Sequence, residues 1–149
     1  MPDDLYWDDT LLWSERQADL LRRLAAGERV NDVDWEHVIE EIEDVGKAEL
    51  RACTSLLRNA LVHLLKLALS PGSDAAAHWR GEVRAFLADA RRAFSPAMRQ
   101  KIDLQEIHAE AIDIVEAADT TLPSDCPFAL DDLLGAHLDL DALLTKLRP

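Results

Sequence analysis

From Trp35 to Leu69 the chain runs 35 residues without a proline. Through that run Val38, Ile42, Val45, Ala52, Leu56, Ala60 and Leu67 form one sustained apolar stripe at helical spacing. A helix of that length extends roughly 52 Å, whereas a compact domain of this size has a radius of gyration of about 15 Å. Either the bundle is elongated or the helix bends. Gly46 is the place for a bend, because an interior glycine costs about 1 kcal/mol of helix stability.

The rest of the chain is helical as well. Asp8 or Asp9 caps a first helix, Trp13, Gln17, Leu20, Leu21 and Leu24 share its face, and Gly27 ends it. Asp34 caps the long second helix. Ser70-Pro71-Gly72-Ser73 is a tight turn, so the third helix, about 74–94, runs back antiparallel with Trp79, Val83, Phe86, Leu87, Ala90 and Phe94 inward. Ser95-Pro96 reads as a cap followed by proline at the first helical position. Asp103 and Glu106 have capping-box spacing for a fourth helix to about 119, with Leu104, Ile107, Ala111, Ile114, Val115 and Ala118 inward. A two-proline loop over 122–127 and short helices around 129–134 and 140–147 complete a single all-α bundle over residues 1–149. No stretch shows strand-like alternation.

Composition bounds the function. The 149 residues carry 16 basic and 29 acidic side chains, a net charge of −13. Nucleic-acid binders need clustered Lys and Arg, and anionic membrane surfaces attract the same clusters, so both are disfavoured as partners. The charge is uneven. Residues 1–49 hold 5 basic and 15 acidic groups and 102–149 hold 2 and 11, while the middle is mildly basic. Two cysteines make no disulfide framework, and no Cys/His run has metal-ligand spacing. No basic segment followed by a long apolar one opens the chain, and we expect a cytoplasmic protein.

Several strings resemble a largely bacterial family known as domain of unknown function 29. Tyr6, Asp9, Trp13, Gln17 and Leu20-Leu21 keep its spacing, followed by Asp34-Trp35-Glu36, Glu40-Glu41-Ile42-Glu43, Gly46 and Glu49. His63-Leu64-Leu65-Lys66, then Trp79 with Val83, then Leu122-Pro123 and Cys126-Pro127-Phe128 with Leu130, Leu133 and Leu134 continue the series. The likeness spans residues 5–134, leaving a short helical tail at 135–149. It implies an all-α fold without an assigned activity. The chain departs from the family pattern at Glu82 and Leu87, where relatives often carry threonine and arginine, and at Ile112, where they often carry tyrosine.

The candidate functional residues are polar groups on apolar faces. Glu49 and His63 fall near the centre of the long stripe, and each needs a partner if buried. Folding the hairpin about Gly72 sets Glu49 near Arg91, for an ion pair, and His63 beside Trp79. As a site, His63 would be a general base or metal ligand helped by Glu41 or Glu49. The chain has no Glu-x-x-His, so no ferritin-like metal site is expected, and we predict no metal and no cofactor. Arg80, Arg84 and Arg91 flank the third helix and could grip phosphate or carboxylate, although pairing with the acidic second helix is the simpler account. Cys53 reads as a core residue and Cys126 as an unactivated thiol. Trp35 opens the second helix at an edge where aromatics anchor interfaces. The leading expectation is a non-catalytic interaction or oligomerisation module. The alternative is a ligand-binding or metal-assisted enzyme using a Glu/His site between the second and third helices.

Overall fold

The computed structural model describes residues 5–115 and 121–148. Among them are seven α-helices and no strand: α1 (Leu5–Asp8), α2 (Thr10–Ala25), α3 (Trp35–Leu69), α4 (Ala76–Ala93), α5 (Leu104–Ile114), α6 (Leu130–Leu134) and α7 (Leu140–Leu147). The all-α expectation holds. The chain divides into two compact units, one up to Lys47 and one from Ala48, with α3 contributing to both.

In the N-terminal unit the Asp9 side chain accepts from the Leu12 amide at 2.9 Å, which caps α2 as the sequence indicated. Gly27, at φ 91°, adopts the left-handed conformation that follows the helix. The short α1 carries no sequence signal of its own and is held by what Tyr6 touches. Tyr6, Trp13 and Val38 form the unit's small core, with Leu5, Leu21 and Val33 against it.

The C-terminal unit holds the larger core. Leu57, Leu61, Leu64 and Leu65 of α3 are buried with Val83, Leu87 and Ala90 of α4, and with Leu140, Leu143, Leu144 and Leu147 of α7. Ser95-Pro96 starts a single 3₁₀ turn, Pro96–Met98, rather than an α-helix. Asp103 caps α5, accepting from the Glu106 amide at 3.2 Å. Ile114, expected inward, is 54% exposed at the last turn of α5. The expected continuation of that helix to 119, with Ala118, lies outside the described residues.

Helical structure continues through Gly46 without interruption. A side chain at Gly46 would meet nothing within 4 Å, so no close packing demands glycine there. By length and composition alone α3 could cross a membrane; its most apolar 18-residue window has a mean hydropathy of 1.2 and is 44% buried. Leu57, Leu61, Leu64 and Leu65 of this helix belong to the buried core of the C-terminal unit.

The apolar stripe of α3 has two fates. On an ideal helix Trp35, Ile39 and Ile42 fall in the same sector, about 60° wide, as Cys53, Leu57, Ala60 and Leu64. The last four are buried, whereas Trp35 and Ile39 are each 52% exposed and Ile42 is 67% exposed. Val45 (66%) and Ala52, expected in the core, are exposed too. Leu64→Ala should therefore lower the unfolding free energy by about 2–5 kcal/mol. Ile42→Ala should change it by no more than about 0.5 kcal/mol. Urea denaturation of the two variants checks the contrast.

Candidate functional site

The densest polar network of the N-terminal unit is built around Asp34, just before α3. Its Oδ2 accepts from the Trp13 indole at 2.9 Å and lies 2.7 Å from His37 Nδ1. Its Oδ1 accepts from the His37 amide at 3.4 Å, and its own amide donates to Gln17 Oε1 at 2.8 Å. One residue thus caps α3 and binds it to α2. The Tyr6 ring stacks on His37, with centroids 3.9 Å apart, and meets Trp13 edge-on at 4.9 Å. The Tyr6 hydroxyl donates to Glu41 Oε1 at 2.5 Å.

These contacts set the protonation states. Burial alone would raise the Asp34 carboxyl, but the hydrogen bonds from Trp13 and His37 outweigh it and hold the group below the ordinary carboxylate value. The bond to Asp34 raises His37 above the ordinary imidazole value, against an opposing effect of burial. The hydrogen bond to Glu41, helped by burial and the nearby negative charge, pushes Tyr6 up to about 12.

An aspartate orienting a histidine is also the frame of a general base. Two recesses of about 480 and 560 Å³ lie in this unit, the first lined by Gln17 and residues 31–36 and the second by Trp13, Arg16 and Leu20 among others; His37 lines neither. The network instead ties α1, α2 and α3 together.

The sequence-nominated residues have different local partners. Glu41 belongs to the N-terminal unit and is engaged by Tyr6. Glu49 is exposed, and the expected ion pair with Arg91 is absent among the described residues. His63 in the C-terminal unit bonds through Nδ1 to the Asn59 carbonyl at 2.8 Å and lies against Phe86, at 5.4 Å. The group over the Trp79 ring is Lys66 rather than His63. Arg80 pairs with Asp141 of α7 at 2.9 Å, not with the acidic long helix. Arg84 and Arg91 are exposed and line a recess of about 350 Å³ with Leu87, Leu133 and His137. Trp35 is half-exposed at the start of α3.

His108 is fully buried, with Nε2 2.8 Å from the Pro123 carbonyl. Burial pushes both the Cys53 and the Cys126 thiols up, away from reactivity. Among the described residues no three His, Cys, Asp or Glu side chains gather as a metal site requires.

His37 and the Asp34–His37 pair stand outside the candidate residues named from the sequence, although their i, i+3 spacing at a helix start is a usable signal. The family-like strings had already named Tyr6, Trp13, Gln17, Asp34 and Glu41, and the structure shows that these residues bond to one another. The sequence model of the domain of unknown function DUF29 matches residues 5–138, and the chain belongs to that family. The crystal structure of an α-helical protein of unknown function from Rhodospirillum rubrum is similar, with 33% identity and a TM-score of 0.73. The match covers 97% of this chain and 98% of that one. No curated protein matches the chain.

The network makes two measurable demands. The raised His37 contributes stability that is full below its unfolded value near 6.5 and is lost as pH rises through its folded value. The lowered Asp34 contributes stability that is full above about 4 and is lost as pH falls through its own folded value. The pair should therefore stabilise most between about pH 4 and 6.5, and Asp34→Asn should flatten that dependence in pH-resolved denaturation. Tyr6 is the single tyrosine, so absorbance at about 295 nm reports it alone; the transition is expected at about 12 and should drop toward 10 in Glu41→Gln.

Proposed function

We propose that this chain is a non-catalytic protein-interaction module whose contact face is the first half of α3. One observation carries the reading: Trp35, Ile39, Ile42 and Val45 stand more than half exposed along one helix. Exposed side chains of this size, grouped along a face, mark contact surfaces in folded proteins. The Asp34 network supports the reading by holding that helix against α1 and α2, so the face is presented on a supported scaffold. The charge of −13 disfavours nucleic acid and anionic membranes as the counterpart.

The enzyme reading has less behind it. Glu41 is occupied by Tyr6, Glu49 faces solvent, and His63 is satisfied by its own helix.

The test is a photo-crosslinking amino acid placed at Ile42 in living cells, with exposed Ala97 as the control position. A discrete adduct from position 42 and none from 97 is the expected outcome. A protein that stays monomeric by light scattering over a wide concentration range and forms no adduct at position 42 overturns the reading.

A further inference from the structure

The exposed face of α3 also carries a charge pattern that selects its occupant. Trp35, Ile39, Ile42 and Val45 recur every three or four residues, a row about 15 Å long that another helix can lie along. Immediately beside it, displaced by one residue, runs a second row, Glu36, Glu40 and Glu43. All three are exposed and none has an ion-pair partner among the described residues. Residues 31–46 contain seven acidic side chains and no Lys or Arg. On the side of Trp35, Ile39 and Ile42 away from these glutamates, Val38 is buried, Val45 is exposed and Glu41 is bound to Tyr6. The exposed charge beside the apolar row is therefore that of Glu36, Glu40 and Glu43, a row that Lys47 ends one turn beyond Glu43.

Resting on the interaction-module reading, we infer that the occupant is an amphipathic helix of another protein, with an apolar row bordered by lysine or arginine. A second copy paired symmetrically through the same face would set one glutamate row in the field of the other, at a cost in like-charge repulsion. A basic partner converts that repulsion into steering and register, while burial of Trp35 and Ile42 supplies affinity.

The test uses the full chain and two synthetic helical peptides of about 20 residues with the same Leu/Ile row. One is flanked by lysines and the other by glutamates. Fluorescence anisotropy should show the lysine peptide binding at least about tenfold more tightly than the glutamate peptide. Ile42→Asp and the triple change Glu36→Gln, Glu40→Gln, Glu43→Gln should each weaken it by about tenfold or more. A lysine peptide with its apolar row scrambled should bind as weakly as the glutamate peptide. The substituted side chains are exposed, and circular dichroism verifies that the variants fold.

Equal binding of the two peptides, binding of neither, full binding of the scrambled peptide, or an Ile42→Asp variant that binds like wild type would each overturn the inference. So would an adduct from position 42 with the mass of two copies of this chain. An adduct to another protein combined with equal binding of both peptides removes the basic partner and leaves the module reading standing.

Discussion

A single carboxylate fixes how the long helix of this protein begins. Asp34 caps α3, accepts the Trp13 indole and orients His37, while its amide is held by Gln17. Each bond satisfies a polar group that would otherwise be left partly buried without a partner, and such groups are costly to leave bare. Because the partners come from α2 and from α3 itself, one residue sets both the start of the helix and the contacts of its first turns. Tyr6 and Glu41 extend the same arrangement by another turn. With that side of α3 committed inward, Trp35, Ile39 and Ile42 are left outward.

The helical elements were largely legible because their signals are local. Asp9 and Asp103 cap helices by bonding backbone three residues away, Gly27 takes the conformation expected after a helix, and the proline-free run coincides with α3. Helical periodicity located the core of α4 correctly at Val83, Leu87 and Ala90. It did not show that one stripe on α3 would be covered at Leu57 and Leu64 and bare at Ile42. Coverage is a property of neighbours distant in sequence, and a pattern with period 3.6 contains none of them.

The site was less legible for the same reason. Tyr6 and Glu41 are 35 residues apart, and Trp13 and Asp34 are 21 apart. Family-like strings marked these residues as a set without saying what they touch. An antiparallel hairpin about Gly72 brings Glu49 to the level of Arg91, but a helix facing solvent at Glu49 offers no reason to pair. Arg80 instead found Asp141, 61 residues on in a helix of only eight residues. Exposed arginines choose among several acidic neighbours at small differences in energy, and the chain supplies acids in excess.

Gly46 gives α3 a property that its unbroken helical geometry hides. From Val45 to Glu49 every residue is exposed, and a side chain at position 46 would contact nothing within 4 Å. That turn is supported chiefly by its backbone hydrogen bonds, at the residue type that favours helix least after proline. Local opening is easiest where packing is sparse. Amide hydrogens of this turn are therefore the ones in the interior of α3 that solvent reaches first, and the helix has a soft place in its middle.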